Sequence, residues 1–445
     1  MSRTEGDSPG MGRRSRDRAI RTPVAGSLIG KAAEFGALAL LVTIVPRVLG
    51  PEDYGAFALA LSIVLIASSS LGLGGPALMA RYVPTAAPSD RPALARAMAL
   101  RVAQGRFLVT FVIAVVAVVL TWIDPGRFPA FETAVVVVAL VLDVTATLLL
   151  QVGLGLGMTW AWNLRWALQN TVLLAGTVLV VALAGTAAAV AGVAIASGSA
   201  CVLALLVVGP VLARAPAGAP IPPGAVRFGI LQGASAVLVL VIHRGGVVAV
   251  ALLGASSAET GYVALAIGIA LAATYTVSQA FSSDLPGLAG LAQRDPAHAE
   301  ERARRLAWTV LLVALPLLLG ITPLLVRLVP RVFGADFDGA EESVGVALAA
   351  VPLAPLVALG AQVVSLRLRP GLRVHSSAWG AGVFAVVALA AVPSWEATGG
   401  ALAFLAGTLA SALVIAAALR DAIPVRLVAV SLGGTACVLA LGLLA

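Results

Sequence analysis

Runs of about twenty apolar residues follow one another along nearly the whole 445-residue chain, more than any water-soluble fold can bury. A soluble domain is near half apolar and a quarter charged; here 60% is hydrophobic and only 11% charged, too little polar surface to face water. The runs are apolar on every side and rich in Val, Ala, Leu and Gly, without the alternation of a membrane β-strand. Within lipid such segments satisfy their backbone groups only as helices. The expected fold is therefore all-α and polytopic. Spans are predicted at 26–48, 55–78, 107–123, 131–155, 166–184, 187–212, 228–252, 262–281, 306–327, 344–366, 376–392, 399–419 and 425–444. Cys201 and Cys437 both fall inside spans and read as small packing residues, not as a disulfide or a metal pair.

The formal net charge of +8 would suit a nucleic-acid binder, but the placement of the arginines argues otherwise. With a cytoplasmic N-terminus, nearly all of them fall in inward segments. The outward segments hold only Arg47, Arg127, Arg327 and Arg331, while Lys31 and Arg244 lie inside spans. That asymmetry is the positive-inside pattern of a plasma-membrane protein, and no nucleic-acid partner is implied.

A repeated hairpin sets the internal organisation. Leu49-Gly50-Pro51-Glu52-Asp53-Tyr54-Gly55-Ala56-Phe57-Ala58-Leu59-Ala60 is echoed by Leu253-Gly254, a polar stretch, then Gly261-Tyr262-Val263-Ala264-Leu265-Ala266. Each joins two long apolar segments, which implies two similar six-helix lobes with a site between them. An even number of spans separates the hairpins, so both are expected on one side of the membrane. The basic residues 1–24 read as a disordered cytoplasmic tail. The N-terminal lobe is expected over 25–212, a Pro/Ala/Gly linker over 213–227, the C-terminal lobe over 228–419, and an additional helix at 425–444. Two long inward loops, 79–106 and 282–305, take matching places, the second carrying a surface helix from Ala297 to Arg305.

Several of these segments resemble the polysaccharide-repeat-unit (Wzx-like) flippases of the multidrug/oligosaccharidyl-lipid/polysaccharide (MOP) exporter superfamily, which also holds the lipid II flippases and the MATE drug exporters. The Leu49–Gly55 loop resembles their signature after the first span. Phe281 to Pro286 leads into a basic helix as theirs does, and Val332-Phe333-Gly334-Ala335-Asp336-Phe337 is similar to their "LFGxxF" loop. Val392-Pro393 followed by Gly399-Gly400-Ala401 is similar to the opening of their twelfth span. Arg244 resembles the arginine of their Asp-Arg pair, with His243 standing where the aspartate would be. The resemblance implies a MATE-like pair of lobes and the translocation of an isoprenoid-linked glycan, with a polysaccharide polymerase and glycosyltransferases as partners.

Ionisable residues inside spans are the candidates for function, because each costs a few kcal/mol unless it faces protein, water or a partner. Arg244 stays charged and its planar fork fits two oxygens of a phosphate. His243 precedes it, and Gly245-Gly246 follows as a place where the helix could bend. Lys31 and Glu34 share one face of the first span, and Asp143 sits mid-way along the fourth. Arg244, His243, Lys31, Gln232 and Gln279 are the expected substrate-binding set, with Gln169, Asn170 and Gln362 as further amides for sugar hydroxyls. Glu34 and Asp143 are the candidates for coupling to H+ or Na+; a buried Asp143 is expected to be neutral or paired with Arg244, Lys31 or a cation. Each of these side chains also has a plainer reading as interhelical glue.

Enzyme signatures are missing. Gly26-Ser27-Leu28-Ile29-Gly30-Lys31-Ala32 has the wrong spacing for a phosphate loop, no metal constellation is visible, and the outward loops are short. No cofactor is expected. A flippase for an isoprenoid-linked oligosaccharide in the bacterial plasma membrane is the leading reading. A MATE-like cation exporter, a membrane glycan ligase or polymerase, and a transport-dead cell-wall scaffold remain as alternatives.

Overall fold

The computed structural model describes residues 12–445 apart from 73, 126–128, 255, 293 and 368; inside helices the side chains of 12–35, 77, 279, 282–287, 289 and 290 also lie outside the described residues. The expected tail over 1–24 falls outside the described residues in part of its backbone and all of its side chains. Helices run in the order α1 (Gly12–Leu71), α2 (Gly75–Tyr82), α3 (Arg91–Ile123), α4 (Ala130–Gly155), α5 (Thr159–Ala184) and α6 (Ala191–Arg214). After the Pro-rich linker come α7 (Ala225–Leu253), α8 (Ser257–Ala292), α9 (Pro296–Phe333), α10 (Glu341–Leu348), α11 (Ala354–Leu366), α12 (Pro370–Ala418) and α13 (Val425–Leu444). No strand occurs among the described residues.

Eleven stretches of the described chain are helical, long and apolar enough to cross a bilayer, and two of them double back, which gives thirteen crossings. The first reversal is at Gly50, whose φ of 74° only glycine adopts freely. Leu38 and Leu65 line one cavity, although a straight helix rising 1.5 Å per residue would hold them about 40 Å apart. The second reversal is at Glu396, a non-glycine residue at φ 42°. It brings Gly380 so close to Gly407 that a β-carbon on the first would lie 2.7 Å from the second's carbonyl oxygen.

The first six crossings pack chiefly among themselves, α4 and α5 against α6 and α5 against α1, and the second set does likewise through α7 with α12 and α8 with α9, α10 and α11. The two sets meet where α1 packs on α7 and α8. Small residues make the close contacts that replace a hydrophobic driving force in lipid. Large apolar side chains point outward instead: Phe111 is 67% exposed and Trp122 90%, tolerable only against lipid. The chain is a multi-pass membrane protein. α13 packs its Gly442 backbone directly on Gly345 of α10, so the C-terminal segment is a docked helix.

Two loop expectations are corrected. The segment 79–106 is largely helical, because α2 fills its start and α3 begins at Arg91. The 282–305 segment is likewise the end of α8 and the start of α9, so no separate surface helix exists at Ala297–Arg305. Hydropathy marks where the bilayer core ends, whereas the backbone hydrogen-bond ladder, once nucleated, continues beyond it. Asp295 starts α9 by accepting a 3.0 Å hydrogen bond from the His298 N–H.

The two repeated hairpins lie back to back. A β-carbon on Gly55 would sit 2.2 Å from the Ser257 carbonyl oxygen, and one on Gly261 would sit 2.1 Å from that of Pro51. Around them Tyr54, Tyr262 and Phe333 surround Phe337, with ring centroids 6.1–6.3 Å from it. This hairpin side is sealed. On the opposite, linker side a slighter contact holds the halves together: Tyr82 of α2 meets Phe228 of α7 at 5.9 Å, and the Arg81 guanidinium lies 4.7 Å over the Phe228 ring.

Candidate functional site: two cavities divided by the seventh span

Below the sealed hairpins, α7 separates two cavities of similar size. The first, about 370 Å³, lies between the halves and is lined from the first by residues such as Leu61, Ser69, Trp166 and Asn170. From the second it receives Leu240, Arg244 and Tyr275. The other cavity, about 380 Å³, lies inside the second half and is lined by Val239 and His243 of α7 together with α8, α11 and α12. Adjacent residues on a helix diverge by about 100°, so His243 and Arg244 face different chambers, each above the residue four places earlier. Tyr275 lines both and forms part of the partition.

Arg244 is half-buried, and its Nε has no hydrogen-bond partner. Among the described residues no carboxylate pairs with it. A guanidinium facing a cavity without a counter-charge is a ready site for an anion, and its forked donors favour a phosphate or carboxylate. His243 packs edge-on to Tyr275 and Phe404, at 6.2 and 6.1 Å. The glycine pair after Arg244 does not break the helix, since α7 is continuous from Ala225 to Leu253. Instead it lets neighbours approach: a β-carbon on Gly245 would meet Phe384 at 2.8 Å, and one on Gly246 would meet Ile267 at 2.6 Å.

Asp143 has a partner other than those expected. Arg165 binds its Oδ1 at 2.8 Å, with both side chains almost fully buried. Gln169 donates to the same oxygen at 3.0 Å, Ser68 donates to Oδ2, and Thr147 reaches Oδ2 at 3.4 Å. Arg165 in turn lies over the Trp166 ring at 4.8 Å. Nearby, Arg106 donates to the Gly72 carbonyl and to Gln151 Oε1, the latter at 2.7 Å, while its Nε and Nη1 are unpartnered. A cavity of about 200 Å³ runs along this cluster, lined by Ser68, Asp143, Thr147, Gln151 and Arg165. It shares Leu65, Ser69 and Trp166 with the central cavity.

The expected amides do not converge on one chamber. Gln169 and Asn170 line the central cavity and Gln362 the second-half cavity, whereas Gln232 packs beside Gly74 at the start of α2. The side chains of Lys31, Glu34 and Gln279 lie outside the described residues. Sequence reasoning missed Arg106 and Arg165, which it counted with the inward loops because hydropathy started their spans too late. One signal was available: a carboxylate at the centre of a span calls for a cation, and Arg165 is flanked by Trp162 and Trp166.

Comparison with solved structures supplies the name of this architecture. The lipid II flippase MurJ in an inward closed conformation superposes with a TM-score of 0.68 at 11% identity, over 93% of this chain and 92% of that one. The fold is that of the MOP superfamily. An inward-facing multidrug resistance MATE family transporter of that superfamily matches with a TM-score of 0.57 at 12% identity, over 91% of this chain and 98% of that one. A MOP superfamily transporter from Pyrococcus furiosus Vc1, described as having a binding pocket of reverse polarity, gives 0.57 at 12% identity, over 91% and 94%. No protein-family model matches the chain, and no curated protein sequence matches it. At these identities the likeness concerns the MOP fold.

Proposed function

We propose that this MOP-fold protein is a flippase. It carries an isoprenoid-linked oligosaccharide, a polysaccharide repeat unit, from the cytoplasmic to the outer face of a bacterial plasma membrane. The observation that carries the reading is Arg244, which faces the cavity between the halves and has no carboxylate partner among the described residues. The chemical problem is one of solvation. Each sugar hydroxyl taken through hydrocarbon without a partner costs about 2–7 kcal/mol, whereas the isoprenoid tail is at home in lipid. A polar cleft that opens sideways to the bilayer meets both needs.

In this reading the positive-inside arginines put the N-terminus and the linker side in the cytoplasm and the hairpins outside. Residues 25–212 and 228–419 move as two lobes. The head group enters from the linker side, where α2 meets α7 through a few aromatic contacts. Arg244 takes the pyrophosphate, with Lys31 as a second cation and Gln232 and Gln279 as hydrogen-bonding groups along the route, while His243 would meet the head group only from the chamber beyond α7. Parting of the Gly50 and Gly254 hairpins then releases the head group outside. Coupling to H+ or Na+ would fall to Glu34 more readily than to Asp143, because a cation at Asp143 must first displace Arg165. Glycosyltransferases on the cytoplasmic face would supply the substrate and a polymerase outside would consume it.

The test uses purified protein in liposomes loaded with an isoprenoid-pyrophosphate-linked trisaccharide, reading the exposure of the head group to an impermeant periodate reagent. Protein-dependent translocation is expected, with no transport of a hydrophobic cation such as ethidium. Cation transport without head-group movement would replace the flippase by an exporter.

A further inference from the structure

The second-half cavity has its own chemistry, and Arg244 takes no part in it. Its wall carries many hydroxyls whose protons are already committed. Ser365 donates to the Ala361 carbonyl at 2.8 Å, Thr408 to that of Phe404 at 2.8 Å, and Ser376 to that of Arg373 at 3.1 Å. A hydroxyl that donates back to its own helix keeps its lone pairs for acceptance, so this wall offers acceptors. Gln362 adds another. It is only 6% exposed, its Nε2 donates to the Phe281 carbonyl at 2.7 Å, and its Oε1 has no partner among the described residues. A buried acceptor left unpaired is costly, and a ligand donor would relieve it.

Two further features narrow the ligand. Tyr275, Phe281 and Phe404 give the chamber flat apolar faces, which suit the C–H faces of a pyranose ring. Arg373 lines the same chamber, and among the described residues no carboxylate lines it and none pairs with this arginine. A ligand that fits must donate several hydrogen bonds, present an apolar ring face and carry a negative charge. At about 380 Å³ the chamber is of the size that holds small ligands.

We propose that the chamber bounded by α7, α8, α11 and α12 is a saccharide-binding site selective for an acidic sugar, with Arg373 taking the carboxylate or phosphate substituent and Gln362 accepting from a ring hydroxyl. The inference rests on the flippase reading only in supposing that the sugar arrives attached to a lipid. The acidic substituent is then a second anionic handle, separate from the linker held by Arg244.

The experiment separates the site from transport. The full chain in lipid nanodiscs is titrated by calorimetry with two water-soluble trisaccharides, one ending in glucuronic acid and the other in glucose. The acidic probe is expected to bind roughly tenfold tighter, as one charge-assisted contact implies. Arg373→Gln should erase the preference, and Gln362→Leu should weaken both probes alike. Should these variants fail to fold, protection of the thiol introduced by Ser365→Cys from maleimide by the acidic probe decides the case with Arg373 in place. Equal affinities, absence of binding, a preference that survives Arg373→Gln, or an unprotected thiol at position 365 would each overturn the proposal. Selective binding in a protein that translocates no lipid-linked sugar would leave this site standing and count against the flippase reading alone.

Discussion

The two halves of the molecule share a plan and differ in what they bury. The first half holds an ion pair at its centre, Asp143 with Arg165, surrounded by Gln169, Ser68 and Thr147. The second half pairs its charges at the rim. There Arg367 grips Glu300 through two hydrogen bonds of 2.7 and 2.8 Å and reaches Asp421 at 2.7 Å, while hydroxyls and Arg373 line the chamber within. A buried ion pair is stiff, because separating it leaves two unsolvated charges. A hydroxyl-lined chamber can fill and empty at small cost. The repeat therefore fixes the scaffold and leaves each interior to its own chemistry, an ion pair in one half and a hydroxyl-lined chamber in the other.

The largest effect expected from that contrast is at Asp143. Asp143→Ala leaves Arg165 buried and unpaired and should cost about 3–5 kcal/mol of stability. The combined change Asp143→Leu with Arg165→Met should recover most of it. Thermal unfolding in nanodiscs measures both, and a single mutant as stable as the double would dissolve the distinction between the halves. Next comes the surface where the halves meet. Gly261→Val drives a side chain into the Pro51 carbonyl and should cost about 1–3 kcal/mol, read in the same melt. An unchanged melting temperature would mean that the hairpins are not the seal.

How far the sequence discloses these differences depends on the physics involved. Hydropathy marks each crossing, because the bilayer selects composition span by span; the reversals at Gly50 and near Pro393 were visible for the same reason. The echo of Gly50–Tyr54 in Gly254–Tyr262 disclosed that the hairpins belong on one side, and their contact through Gly55 and Gly261 agrees. What stayed hidden was pairing across helices. Asp143 was recognisable as a problem in need of a cation, but Arg165 is 22 residues away and only the packing of α4, α5 and α1 brings it to the carboxylate. Likewise nothing in the pattern tells that His243 and Arg244, neighbours in sequence, serve different chambers.

A smaller effect separates the two reversals. Gly50 turns without strain, whereas Glu396 holds φ 42° with a β-carbon, at a cost that glycine would avoid. Glu396→Gly should stabilise the protein by about 0.5–1 kcal/mol, and a lower melting temperature would show that the Glu396 side chain matters more than its backbone. The smallest effect belongs to the exposed rim. The hydrogen bond from Arg367 holds the Asp421 carboxyl below the usual carboxylate range. The contribution of that pair is therefore complete at neutral pH and is lost as pH falls through the lowered pKa. Asp421→Asn should flatten the acid limb of the stability profile slightly while leaving the neutral melting temperature nearly unchanged, and a large loss at neutral pH would contradict its placement at the rim.

The central claim is that the cleft between the halves receives an anionic linker at Arg244. Removing this arginine orphans no carboxylate among the described residues, and the variant is expected to fold. The direct measurement is the initial rate of head-group translocation by Arg244→Ala and Arg244→Lys in liposomes, at matched protein levels. The account predicts no rate above protein-free liposomes for the alanine variant and partial recovery for lysine, whose point charge cannot reproduce the bidentate fork. A normal rate in Arg244→Ala would contradict it.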